Sequence, residues 1–184
     1  MKSGYRSASY AALVALLLAS IVGCNTAPKS EEKKDALADE AQAVLKQMQA
    51  QDETLKGFLD RGYAYAIFPN VGKGGLGVGG AYGRGVVYRG NEMVGYVDLT
   101  QASIGLQAGG QSFAELIVFE NEDTFNKFTK GELQFGANVS AIALKTGAAA
   151  AATFKNGLAV FVMPKGGLMA ELSLSGQQFK YQPK

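Results

Sequence analysis

Leu37, Ala41, Val44, Leu45 and Met48 recur at intervals of three and four, the spacing of one face of an α-helix. Ser30 precedes them as a predicted N-cap, and Glu31 and Glu32 fill the first turn, where negative charge favours a helix start. The polar face of this helix is acidic, so the apolar stripe is read as core packing and not as a membrane-surface helix. A second short helix is predicted from Glu53 to Arg61, with Asp52 as cap, Leu55, Phe58 and Leu59 inward, and Gly62 as its stop. From Tyr63 onward the period changes to two.

The run Tyr63 to Phe68 predicts a strand ending at Pro69-Asn70. Between Leu76 and Arg89 the alternation is sharp. Leu76, Val78, Gly80, Tyr82, Arg84, Val86 and Tyr88 point one way, and Gly77, Gly79, Ala81, Gly83, Gly85, Val87 and Arg89 the other. A face of nearly bare backbone implies strong curvature or the close approach of another backbone or a ligand, and curvature is preferred. Arg89-Gly90-Asn91-Glu92 predicts a hairpin turn before a strand from Met93 to Leu99. Further strands are expected over Ser103 to Gly109, Phe113 to Phe119 and Gly136 to Leu144. A helix capped by Asn121 and stopped by Gly131 interrupts them. The alanine run from Ala148 to Ala152 is read as strand from its neighbours, and a last hairpin is expected around Pro164-Lys165-Gly166, between Leu158 to Met163 and Gly167 to Leu174. Together these elements predict one α+β domain, with amino-terminal helices packed on a strongly curved, mainly antiparallel sheet or partly closed barrel.

Ahead of the first helix the pattern differs. Lys2 and Arg6 precede a short apolar stretch from Tyr10 to Val22, which ends at Ile21-Val22-Gly23-Cys24. The stretch is shorter than the roughly 20 residues needed to span a bilayer, and it has the three parts of a secretory signal. The last four residues resemble a bacterial lipobox, in which the cysteine becomes the acylated first residue of the mature chain. Residues 1–23 are therefore expected to be a signal peptide, 24–30 a lipidated tether, and 31–184 the folded domain. Asn25 is not the aspartate that favours inner-membrane retention, so the expected location is the outer membrane facing the periplasm.

That assignment changes how the charge is read. The chain carries 18 basic and 16 acidic residues, and Lys2 and Arg6 account for the excess. The mature domain is balanced, which argues against nucleic-acid binding. With no histidine and one cysteine, neither a Cys/His zinc site nor a His-based catalytic triad can be built, and no metal, cofactor or catalytic residue is expected. Asp98, Glu115 and Glu171 lie in strand-like runs, where solvation is the expected state and burial the alternative. Gly72-Lys73-Gly74-Gly75-Leu76-Gly77 reads G-x-G-x-x-G, but a dinucleotide site needs the last glycine to open a helix, and a two-periodic run follows instead. Lys73 is expected on a solvated loop.

Residues Ala66 to Gly85, including Phe68-Pro69-Asn70-Val71-Gly72-Lys73-Gly74-Gly75, closely resemble the SYLF domain, also called the Ysc84 actin-binding domain. Ser103 to Ser112 followed by Leu116-Ile117-Val118-Phe119 matches the family's second block, and Phe135 to Ser140 its third. The resemblance implies a phospholipid-binding module. Actin is not carried over, because a periplasm holds none, and the basic amphipathic amino-terminal segment of eukaryotic members is replaced here by signal, tether and acidic helix. Lys73, Arg84, Lys145 and Lys165 are the candidate lipid contacts. The expected function is a membrane-anchored lipoprotein with a non-catalytic, phospholipid-binding domain; the alternative is a structural or protein-interaction module of the envelope, with partner unknown.

Overall fold

The computed structural model describes residues 30–184 except 137–138 and 167–173, and of 76–78, 103–109 and 166 it describes the backbone alone. Residues 1–29, with Cys24 and the expected signal among them, and Glu171 lie outside the described residues. Helix α1 (Glu31–Gln51) and helix α2 (Thr54–Leu59) precede two very long strands, β1 (Ala64–Arg89) and β2 (Glu92–Phe119). Helix α3 (Glu122–Thr129), β3 (Ala141–Ala143), helix α4 (Ala148–Ala151), β4 (Leu158–Gly166) and β5 (Gln177–Pro183) follow.

β1 and β2 form one antiparallel hairpin from Ala64↔Phe119 to Arg89↔Glu92, closed by the predicted turn with Gly90 at φ 59°. β4 pairs antiparallel with the Ser112 to Phe119 end of β2, and β5 with its Gly95 to Gln101 end. β3 lies parallel to β4, giving the order β1-β2-β4-β3 with β5 as a branch on β2. The sheet is mainly antiparallel, curved and open, with the helices at the amino-terminal end packed on it.

Both faces of the sheet are covered, and that explains its apolar runs. Ala64, Ala66, Phe68, Phe113, Ile117 and Phe119 enter one core, which the curled sheet shares with Phe125 and Phe128 of α3. Ile67, Leu116, Val118 and Phe161 face Val44, Leu45, Met48, Leu55 and Phe58 of the helices on the other side. Strands covered on two faces read as continuous apolar stretches, and Phe113 to Phe119 is interrupted only by Glu115.

Several expectations are corrected. Pro69-Asn70 does not end a strand; a register shift between Phe68 and Val71 absorbs the missing N–H, and a second shift between Gly75 and Gly77 lets the strand continue through the glycines. Met93 to Phe119 is likewise one strand and not three. The alanine run is helical over Ala148–Ala151, of the described residues between Gly136 and Leu144 Ala141–Ala143 are strand, and the carboxy-terminal strand is Gln177–Pro183. Of the second half of the expected last hairpin, residues 167–173 lie outside the described residues, and Leu174 is buried and not in a strand. Ser30 occupies the N-cap position but makes no side-chain cap bond, whereas Asn121 Oδ1 accepts the Thr124 N–H at 3.0 Å as expected.

The bare glycine face serves close approach as well as curvature. A Cβ on Gly83 would lie 2.8 Å from Val71 Cγ2 and 3.1 Å from Asn70 O, and one on Gly85 would lie 2.7 Å from Ile67 O. The first third of β1 thus crosses over its later residues with no room for a side chain. Gly83→Val is expected to destabilise the fold by about 1–3 kcal/mol through overpacking. Thermal melts check this, and a melting temperature at or above wild type would show that the glycine is not sterically required.

Candidate functional site

Asp52 organises the corner where the first two helices meet the carboxy-terminal half. It is buried, and its Oδ1 accepts the Thr54 N–H, the Thr54 hydroxyl and the Gly147 N–H, while Oδ2 accepts the Ala149 N–H at 2.7 Å. Thr54 Oγ1 in turn accepts the Ala150 N–H, and Gln51 Nε2 donates to Leu144 O. These contacts satisfy the free N–H groups of α4 from a residue nearly a hundred positions earlier. They explain why an alanine run flanked by strand-like sequence is helical.

Beside this corner lies a cleft of about 530 Å³. Val139, Ser140, Ile142 and Ala143, around β3, line it together with Ala148, Ala151, Ala152 and Thr153, in and after α4. Leu158, Ala159 and Val160 of β4 make its floor and are buried. Small side chains on α4 leave this space open. The ionisable groups on the lining are Lys145 and Lys155, both exposed and neither in an ion pair among the described residues. Lys155 is held by a two-residue turn: its N–H donates to Leu158 O at 2.9 Å and its carbonyl accepts the Leu158 N–H, with Asn156 and Gly157 at φ 53° and 79°. Positive φ at both centres is the I′ geometry that Asn-Gly favours.

The sequence-predicted contacts do not converge. Lys145 is on the cleft. Lys73 is not on a loop; it is a buried residue of β1 opposite Gln111, and burial lowers its pKa. Arg84 Nε donates to the Tyr82 hydroxyl at 2.7 Å and lies 3.6 Å from Asp98 Oδ1. Lys165 Nζ donates to Pro69 O at 3.0 Å and lies 4.0 Å from Glu40. Arg84 helps to line a smaller hollow of about 300 Å³ together with Glu40, Pro69 and Tyr82, and Lys165 touches two of these residues, Glu40 and Pro69. Lys155 was missed, although Asn156-Gly157 beside it is a recognisable turn signal.

Two strand acids expected in solvent are buried. Asp98 is pushed up to about 6 by burial, against the opposing charges of Arg84 and Lys180. Glu115 is fully buried and is pushed up to about 7 by burial, which the hydrogen bond from Gln177 only partly offsets. By strand alternation Asp98 follows Tyr96 towards the helices, whereas Glu115 lies with Phe113 and Ile117 in the other core. They do not face each other across a cleft, and among the described residues no group of three acids or cysteines could hold a metal ion.

Comparison with known proteins bears on the same half of the chain. Residues 100–183 match the family described as Ysc84, Las17-binding protein actin regulator, a span that contains every residue lining the large cleft. The glycine-rich block from Ala66 to Gly85 precedes it. Beta cell expansion factor A of Aeromonas veronii is 25% identical over 156 residues, which are 83% of this chain and 59% of that relative, so the chain spans less than two thirds of the relative's length. Over residues 100–183 the chain is similar to the Ysc84, or SYLF, family.

Proposed function

We propose that this is a lipid-anchored protein of the bacterial envelope, on the periplasmic face of the outer membrane, whose SYLF domain binds phospholipid without catalysis. The observation that carries the reading is the large cleft, an apolar hollow whose rim holds two lysines and no acid. Apolar lining with a few placed charges is the usual build of a small-molecule site, and this cleft is within the usual size range of roughly 300–1,000 Å³. The lipobox-like Ile21-Val22-Gly23-Cys24 supports the anchor. No helix among the described residues is long and apolar enough to cross a membrane.

Binding is tested by sedimenting the protein with phosphatidylglycerol vesicles and, separately, phosphatidylcholine vesicles. The anionic vesicles are expected to retain more protein, and less as salt rises, because exposed charges are screened within about 10 Å at 0.1 M salt. Lys145→Glu with Lys155→Glu is expected to weaken retention more than Lys127→Glu with Lys130→Glu, since Lys127 is at a helix end and paired with Asp123 at 2.7 Å. Equal losses, or no binding to either vesicle, would favour a protein-interaction role in the envelope. The anchor is tested by Cys24→Ser, which is expected to abolish acylation and release the protein from the membrane pellet, because each buried methylene contributes about 0.8 kcal/mol to anchoring. Unchanged mass and unchanged retention would remove the lipoprotein reading.

A further inference from the structure

We propose that the large cleft takes one acyl chain of a single-chain anionic amphiphile, with its head group between Lys145 and Lys155. The inference rests on the lipid-binding reading above and narrows it from phospholipid in general to a ligand class. Size is the first argument. A methylene fills about as much space as a water molecule, roughly 30 Å³, so a chain of about 16 carbons needs roughly 480 Å³ and two such chains roughly twice that. The cleft holds about 530 Å³, enough for one chain and short of the volume of two.

Charge is the second argument. Lys145 and Lys155 are the ionisable groups of the lining, so a carboxylate or phosphate at the rim has two cations on the lining and no acid to repel it. The third argument is the wall itself. Ala148, Ala151 and Ala152 carry only a methyl group towards a hollow whose floor is already apolar, and Gly147 at φ 78° together with the Asp52 bonds fixes α4 in that position. The cleft is therefore held open by structure and not by chance packing. A peptide strand added at β3 is the competing occupant, and β3 is only three residues long, so it offers few ladder bonds.

The test uses the full chain in membranes with a palmitate carrying a diazirine in its tail. After irradiation, peptide mapping is expected to place the cross-link between residues 139 and 160. Excess unlabelled palmitate or lysophosphatidylglycerol is expected to compete, and which of the two competes at lower concentration identifies a carboxylate or a phosphate head. Ala151→Trp, at an exposed position that tolerates bulk, fills the hollow and should lower labelling at least fivefold, as should Lys145→Glu with Lys155→Glu, with melting temperatures unchanged. Labelling spread over the chain, or unaffected by Ala151→Trp, would overturn the proposal. Loss of anionic-vesicle retention with cleft labelling kept would overturn the membrane-surface reading alone. Vesicle retention without cleft labelling would overturn the single-chain ligand alone.

Discussion

Glu115→Gln is expected to raise the stability of the domain by about 3 kcal/mol at pH 8 and by much less at pH 5. Glu115 has no exposed surface; Gln177 Nε2 donates to its Oε2 at 3.0 Å, while Glu115 Oε1 and Gln177 Oε1 have no hydrogen-bond partner among the described residues. Its cross-strand neighbours, Phe68 and Val162, are apolar, and by strand alternation Lys73, buried, and Arg89 of β1 lie on the same side of the sheet. A charged carboxylate here is poorly solvated, and its pKa rises from 4.5 to about 7. Each pKa unit corresponds to about 1.4 kcal/mol between the two protonation states, so the charged form costs the fold about 3 kcal/mol. Between these two pKa values the folded chain holds a proton that the unfolded chain has lost, so this contribution is full below pH 4.5 and is lost as pH rises to 7. Glutamine cannot ionise, and its amide can donate to Gln177 Oε1 while its oxygen keeps the existing bond. Urea melts of both proteins at pH 5 and pH 8 check the result, and an equal pH slope in the two would show that Glu115 does not carry the effect.

What the sequence made legible was local. The three-and-four spacing in α1, the Asn121 cap and the Arg89 to Glu92 turn depend on neighbours a few residues away, and each is found in the structure. Period two gave the correct faces from Ala81 to Tyr88, with Val86 and Tyr88 towards the helices and Ala81 and Val87 in the curled core. The failures are non-local. Proline and glycine normally interrupt strands, but pairing to β2 on both sides of the register shifts carries β1 through them. Burial of Lys73, Asp98 and Glu115 depends on which strand and which core close over each residue, and a polar residue in an alternating run does not disclose that its face is covered. The site divides in the same way. Lys145 could be picked as a cation near the alanine run, but the cleft needs β3, α4 and the Lys155 turn brought together, and residues 139 to 160 touch only after the sheet forms.

The helix that walls the cleft shows how far such dependence reaches. Asp52→Ala is expected to destabilise the domain by about 3 kcal/mol or more, because four donors lose a charged acceptor and each such hydrogen bond contributes roughly 1.5–3 kcal/mol net when considered singly. Asp52→Asn keeps one acceptor oxygen and should lose about half as much. The pH signature is opposite to that of Glu115. Burial alone would push the Asp52 carboxyl up, but the bonds from Thr54 and from the amides of Ala149 and Gly147 outweigh it and hold the group below its ordinary value. Its contribution is therefore present above the unfolded aspartate pKa of about 3.9 and is lost as pH falls through the lower folded value. Wild-type stability should rise from pH 8 towards pH 5 as Glu115, and with it Asp98, takes up a proton, then fall in stronger acid as Asp52 does. Asp52→Ala should remove part of the acid loss, and it should also loosen α4, so that palmitate labelling of the cleft falls together with stability. A variant that loses stability yet keeps full labelling would show that the Asp52 corner holds the fold without shaping the cleft.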